Sequence, residues 1–410
     1  MARIYAVLDF KGAANSHFHL VKIMNIIQTD KQYIANTYAR FPLQLVKGKG
    51  SRVCDEAGKE YIDLGTGIAV NSFGIADEAW KAAVTAQLDK IQHTSNLYYS
   101  EPCALLAKEL CTRTGMDKVF FSNSGAEANE CAIKAARKYG EMTKGKDCYT
   151  IITLKNSFHG RTITTLSATG QDVFHEHFTP MTDGFAHAAA NDLSEVEALI
   201  KTHKCCAVMI ELVQGEGGVF ALDKEYVTKL AELVQQENML LIVDEVQTGN
   251  GRTGALYAFM EYGISPDVVT TAKGLGGGLP IGATMMNEKT AALFTPGLNG
   301  STFGGNPIAC AGALSILQRI DEKLLSEVKA KSEYIFTELS GADGVKSVSG
   351  MGLMLGVETK KDVGEVIKGC MEKGVLVIKA KNKVRLLPAL NIPWDDLKTA
   401  IKTIKEVCRI

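Results

Sequence analysis

The sequence predicts an α/β protein: a parallel sheet covered by helices on both faces, followed by a smaller α+β part. Three observations carry this. Short β-rich runs alternate with helical patterns through the middle of the chain, the order that a parallel sheet requires. The run Leu240-Leu241-Ile242-Val243 is apolar on consecutive positions, as a strand buried on both faces must be. After Gly304-Gly305-Asn306-Pro307 the character shifts to two helical stretches, weaker strands and a last helix.

Taken in order, Trp80, Val84, Leu88 and Ile91 fall on one helix face, 119–122 reads as a strand, 126–139 as a helix and 149–154 as a strand. The pattern repeats with a strand at 207–212 and a helix over 224–237 that turns Leu230, Leu233 and Val234 inward. Strands at 240–244, 268–271 and 281–286 follow. In the last part, strands at 353–358, 375–378 and 384–387 precede a helix near 394–407. Loops that carry chemistry are expected at the strands' carboxyl ends.

Composition narrows the partners. With 45 Lys+Arg against 46 Asp+Glu there is no electrostatic footprint for nucleic acid or an anionic membrane. No apolar run approaches the roughly 18 residues of a membrane span. Asp9 and Lys11 interrupt the stretch in which a secretory signal would need its apolar region. Ten cysteines without a C-x-x-C pair or framework spacing read as reduced thiols of a cytoplasmic protein. Glycine is the one skew, at 39 residues, and it sits in clusters, which suggests backbone approaching a ligand.

Four segments carry candidate chemistry. In Phe120-Phe121-Ser122-Asn123-Ser124-Gly125-Ala126-Glu127 a strand runs through a Ser/Gly turn straight into a helix, offering unpaired N–H groups and a positive dipole end. The turn is either a phosphate seat or an ordinary Ser N-cap. Asp244 ends an apolar strand and needs a cationic partner; it reads as an N-cap, a metal ligand or a counter-ion for a protonated ring nitrogen. Lys273 ends another buried strand before Gly274-Leu275-Gly276-Gly277-Gly278, either snorkelling outward or desolvated as an imine-forming nucleophile. Asn156-Ser157-Phe158-His159-Gly160-Arg161-Thr162 offers a ring for stacking and a guanidinium for a carboxylate. His159, His175 and His177 have no Cys or acidic partner at ligand spacing, so no metal is expected. Together, the lysine, aspartate, anion seat and aromatic turn are what pyridoxal phosphate needs.

Six stretches carry a resemblance over the chain from about Asn25 onward: Ser124-Gly125-Ala126-Glu127-Ala128-Asn129-Glu130, Phe158-His159-Gly160-Arg161, Gln214-Gly215-Glu216-Gly217-Gly218, Asp244-Glu245-Val246-Gln247-Thr248-Gly249, the Lys273 segment and Gly300-Ser301-Thr302-Phe303-Gly304-Gly305-Asn306-Pro307. In these the sequence resembles the class III pyridoxal-phosphate aminotransferases, above all their acetylornithine branch. The resemblance implies fold type I: a large domain with a mostly parallel seven-stranded sheet, a smaller α+β domain, and a homodimer with shared active sites. It divides the chain into a non-family extension (1–23), a segment packing with the small domain (24–74), a large cofactor-binding domain (75–305) and a small domain (306–410).

The resemblance also assigns roles. Gly125 and Ala126 would bind the cofactor phosphate, joined by Thr302 of the other subunit with Ser301 nearby. Phe158 would stack on the ring, Val246 would pack on its opposite face, Asp244 would pair with the ring nitrogen and Gln247 would reach the ring hydroxyl. Lys273 would hold the cofactor and shuttle the proton. Arg161 would anchor the substrate carboxylate, Arg385 would take the glutamate α-carboxylate, and Glu216 would mask Arg385 while the ω-amino substrate is bound. The implied reaction moves the δ-amino group of N2-acetylornithine to 2-oxoglutarate, giving glutamate, in arginine biosynthesis. Ornithine, succinylornithine and 4-aminobutyrate aminotransferases are the alternatives, and a pyridoxal-phosphate aminomutase a more distant one.

Where the ornithine enzymes resemble one another in carrying a bulky Tyr, this chain has Gly67, which is expected to leave room for an amide. Gly74-Ile75-Ala76-Asp77-Glu78 replaces the usual Gly-His-x-His-Pro, and Leu212 stands where proline is common. Both departures bear on backbone packing.

Overall fold

The computed structural model describes residues 26–410. Its centre is a seven-stranded sheet in the order Lys118–Ser122, Gly282–Met286, Val268–Thr271, Leu240–Asp244, Cys205–Ile210, Thr150–Leu154, Phe185–Ala188. Gly282–Met286 runs antiparallel to both of its neighbours. The remaining pairs are parallel. Cys205–Ile210 and Leu240–Asp244 are buried at every position because helices cover both faces. Helix Gly125–Lys144 lays Ala128, Cys131, Ala132, Ala135 and Ala136 against the sheet, small side chains that let it approach closely. Helix Lys224–Gln236 buries Tyr226, Val227, Leu230 and Val234.

A second sheet, in the order Val345–Met351, Met354–Thr359, Lys383–Leu386, Ile378–Ala380, lies in the C-terminal part with helix Trp394–Cys408. Its core gathers Leu353, Leu355, Val357, Leu386, Leu397, Ile401 and Ile404. A third sheet joins Leu45–Lys49, Arg52–Asp55 and Glu60–Asp63 to Val375–Leu376 from the other end of the chain. The single strand expected at 375–378 is therefore split between two sheets, with buried Val377 at the crossing.

The expected helix face at Trp80, Val84, Leu88 and Ile91 needs correction. The helix spans Glu78–Leu88, with Asp77 capping its start and Asp89 its end. Ile91 lies beyond it, where its carbonyl accepts from Gln87 Nε2, and Leu88 and Ile91 are exposed rather than buried. The proposed extension at 1–23 lies outside the described residues.

Six parallel strands end at one edge of the large sheet, at Ser122, Leu154, Ala188, Ile210, Asp244 and Thr271. Each is followed within a few residues by a segment singled out in the sequence or by a charged side chain.

Candidate active site

At that edge lies a cavity of about 470 Å³, lined among others by Gly125, Ala126, Phe158, Arg161, Glu211, Asp244, Val246, Gln247 and Lys273. Helix Gly125–Lys144 begins there. Ser124 caps it by accepting from the Glu127 N–H at 3.2 Å, and Glu127 folds back to accept from the Asn123 N–H at 2.9 Å. The Ser N-cap is present, and helix geometry still leaves the Gly125 and Ala126 N–H groups without intrahelical acceptors. A Cβ on Gly125 would stand 2.6 Å from Val246 Cγ1, so only glycine lets the helix start pack on that residue.

Asp244 is 4% exposed. Its Oδ2 accepts from Asn129 Nδ2 and His159 Nδ1, both at 2.8 Å, and its Oδ1 accepts from the Val246 N–H at 3.0 Å. Asn129 is fixed in turn by donating to the His159 carbonyl at 2.7 Å and accepting from Thr270 Oγ1 at 2.7 Å. Burial opposes a charge on His159, but the hydrogen bond and charge of Asp244 and the charge of Glu211 leave its pKa above the ordinary value.

Lys273 opens a short turn, with φ at 42°. Among the described residues no carboxylate stands within ion-pair distance of its ammonium. Removal from water lowers its pKa, and Arg385 adds to this against the opposing charges of Glu216, Asp244 and Glu211. Neutral amine is thereby more accessible than in a free lysine.

Arg161 is exposed at the cavity wall, its guanidinium 4.5 Å from the Phe174 ring centroid and 5.7 Å from that of Phe158. No described carboxylate pairs with it. Arg385 is 2% exposed and lies one side chain behind the wall. Its Nη1 donates to Glu216 Oε1 at 2.6 Å and, more weakly, to Gln247 Oε1 at 3.4 Å. One guanidinium is free and the other is masked.

Ser301 and Thr302 do not line this cavity. Ser301 Oγ accepts from Asn123 Nδ2 at 3.2 Å, one contact behind the wall, and Thr302 faces outward beside exposed Phe303. Gly67 is also absent from the lining, whereas Val70 is present.

Glu211, Asn129 and Phe174 were not anticipated. Glu211 is buried with Oε2 accepting from the Phe158 N–H at 2.8 Å, and burial raises its pKa. Its signal was available, since Glu211 follows an apolar run as Asp244 does. Asn129 lies four residues after Gly125, on the same helix face. Phe174 reaches the site through tertiary folding alone. His175 Nε2 bonds the Leu166 and Thr169 carbonyls, and no group of three or more His, Cys, Asp or Glu that could hold a metal ion occurs among the described residues.

Residues 33–408 match the aminotransferase class-III family. The chain belongs to the class-III aminotransferases. It is 49% identical over 384 residues to the acetylornithine aminotransferase of Haemophilus ducreyi, covering 93% of this chain and 98% of that one. The acetylornithine aminotransferase of Aquifex aeolicus is 44% identical over 377 residues, covering 92% and 99%. Among solved structures, the ornithine aminotransferase of Toxoplasma gondii superposes with a TM-score of 0.89 at 33% identity, covering 93% and 94%. The N-acetylornithine aminotransferase of Stenotrophomonas maltophilia gives 0.81 at 34%, covering 93% and 98%. The aminotransferase thus shares its fold with both branches. Class-III aminotransferases work with pyridoxal 5'-phosphate, and the donor set described above suits that group: backbone N–H groups at a helix start, an aspartate carboxylate held by three donors, and a lysine of lowered pKa. No helix among the described residues is long and apolar enough to cross a membrane.

Proposed function

We propose that this aminotransferase moves the δ-amino group of N2-acetylornithine to 2-oxoglutarate, as a cytoplasmic homodimer carrying pyridoxal 5'-phosphate on Lys273. The observation that carries the reading is the 2.6 Å pair between Glu216 and Arg385 beside a cavity whose other arginine, Arg161, is unpaired. A monocarboxylate donor needs one guanidinium, and a dicarboxylate acceptor needs two. A carboxylate that covers the second guanidinium and can move aside serves both in one cavity.

When bound, the cofactor supplies an electron sink that makes the proton on the amine-bearing carbon acidic. Gly125 and Ala126 hold its phosphate through backbone N–H groups, and Asp244 keeps its ring nitrogen charged. Phe158 and Val246 pack on the two ring faces, and Gln247 addresses the ring hydroxyl. Lys273 Nζ takes and returns the substrate proton, which its lowered pKa favours. Thr302, exposed and turned away from its own cavity, completes the phosphate site of a second copy, with Ser301 supporting that turn. The same reading keeps the division into 24–74, 75–305 and 306–410.

Identities of 44–49% to acetylornithine aminotransferases over nearly the whole of both chains support the acylated substrate. Steady-state kinetics with 2-oxoglutarate test it. N2-acetylornithine should exceed ornithine and 4-aminobutyrate in kcat/KM by at least about tenfold, or about 1.4 kcal/mol. Equal or better use of ornithine overturns the substrate assignment while leaving the transaminase chemistry in place. Borohydride reduction and peptide mass analysis should locate the cofactor on Lys273, and label on any other lysine refutes that role.

A further inference from the structure

Arg252 lies in the loop that follows Asp244, fully enclosed, with no acidic partner within ion-pair distance among the described residues. Burial alone pushes its pKa down to about 9. Its Nε and Nη2 have no hydrogen-bond partner. A guanidinium held in this way is costly, and the fold keeps it only if something depends on it.

Its remaining bonds show what depends on it. Nη1 donates to the Leu353 carbonyl at 3.1 Å and to the Pro388 carbonyl at 2.5 Å. Leu353 immediately precedes strand Met354–Thr359, and Pro388 follows strand Lys383–Leu386 by two residues. These strands pair antiparallel, with Gly356 opposite Arg385 and Leu355 opposite Leu386. One nitrogen from the loop after Asp244 therefore grips the residues that flank both strands of the ladder that bears Arg385.

The backbone makes the same junction. The Leu353 N–H donates to the Arg252 carbonyl at 2.9 Å. Gly352 packs so closely that a Cβ there would stand 2.4 Å from the Thr253 carbonyl carbon. On the other side, Asn250 Nδ2 donates to Thr271 Oγ1 at 3.0 Å and to the Ala272 carbonyl at 3.3 Å, directly before Lys273. The loop 250–253 is thus tied at one end to the lysine turn and at the other to the strand of Arg385.

We propose that Arg252 is a positioning residue that sets the place of Arg385 relative to Lys273, and so the affinity for the dicarboxylate co-substrate. This rests on the reading of Arg385 as the anchor of that substrate's α-carboxylate. The monocarboxylate donor does not use Arg385, so the two half-reactions should respond differently.

The test uses purified holoenzyme in single-turnover reactions followed by cofactor absorbance: first with N2-acetylornithine, then, on the resulting amino form, with 2-oxoglutarate. Arg252→Met removes the grip, and Arg252→Lys keeps the charge but ends one bond short. In both, the 2-oxoglutarate concentration for half-maximal rate should rise at least about tenfold, while the acetylornithine half-reaction changes less than about threefold. Equal losses in both halves, or no loss in either, overturn the proposal. If the Met variant does not fold, the Lys variant decides. Arg385→Ala serves as reference. Should it impair only the 2-oxoglutarate half while the Arg252 variants do not, the positioning role fails and the anchor reading stands. Should it spare that half, the anchor reading fails and takes the proposal with it.

Discussion

His159 Nδ1 stands 2.8 Å from Asp244 Oδ2, and both side chains are almost wholly removed from water. An ionised carboxylate only accepts, so Nδ1 carries the proton, and the second imidazole nitrogen, Nε2, is left without a partner. The contact raises the His159 pKa and, with Asn129, keeps Asp244 aimed along one line. A carboxylate oriented by three donors is a fixed negative charge, which is what a protonated ring nitrogen requires.

Asp244→Asn should therefore retain the cofactor, since the phosphate seat and Lys273 are untouched, but lose most turnover. A preorganised charge of this kind is worth roughly a hundredfold or more in rate. Cofactor content by absorbance, read beside kcat, separates the two effects. Near-wild-type turnover would exclude the counter-ion role.

Phe174 touches both Phe158, edge to face at 5.7 Å, and the Arg161 guanidinium at 4.5 Å. Arg161 has no ion pair to fix it, so the ring is its main restraint. At a partly exposed site a cation–π contact is worth about 0.5–1 kcal/mol, or about two- to fivefold in binding. Phe174→Leu should raise the KM for N2-acetylornithine by about that factor, with kcat nearly unchanged. A fall in kcat at constant KM would show that the ring acts on the chemistry instead.

Glu245, next to Asp244, is fully buried, accepting from Thr248 Oγ1 at 2.5 Å and from the Phe259 N–H at 2.7 Å. Burial pushes its pKa from 4.5 up to about 7. The folded state thus binds the proton more tightly than the unfolded state. The associated stability is fully present below about pH 4.5 and is lost as the pH rises through about 7. Glu245→Gln imitates the protonated form and does not titrate. Its melting temperature relative to wild type should climb from pH 4.5 to about 7 and then level off, a gain on the order of 3 kcal/mol. A difference that is flat with pH would show that Glu245 is ionised in the fold at no cost.

The sheet and the chemistry at its edge were readable in the sequence because consecutive apolar runs ended in residues that a buried strand end cannot tolerate idly: Ser122, Asp244 and the turn at Lys273. Strand Phe185–Ala188 was not readable, since Phe-Ala-His-Ala is neither uniformly apolar nor β-branched and acquires its identity by pairing with Thr150–Leu154. The three N-terminal strands are short and hold charged residues, and their fourth member, Val375–Leu376, lies more than 300 residues away. Roles that arise from such distant contacts, as for Arg252 and Phe174, leave no local pattern.

Gly67 shows the same limit. Thr66, Gly67, Ile68 and Ala69 all adopt positive φ, at 47°, 64°, 67° and 61°. This left-handed turn is held by Asp63 Oδ1, which accepts from the Gly65 and Thr66 N–H groups, and by Thr66 Oγ1, which donates to the Leu387 carbonyl at 2.6 Å. Gly67 borders a separate cavity with Phe41, Ile68 and Ile378, whereas Val70, at the end of the turn, lines the same cavity as Lys273. The glycine is therefore explained by its backbone rather than by room for an acyl group. A Cβ at position 67 meets nothing closer than Asn71 Nδ2 at 3.6 Å, so Gly67→Ala should cost only the left-handed conformation, about 1 kcal/mol. The ratio of kcat/KM for N2-acetylornithine to that for ornithine should stay within about threefold of wild type, for Gly67→Tyr as well as Gly67→Ala, because one methyl group in a substrate pocket is already worth about tenfold or more. Thermal melts beside the two-substrate kinetics decide it: a selective loss of acetylornithine turnover in Gly67→Tyr, with the cofactor retained, would return Gly67 to the substrate pocket.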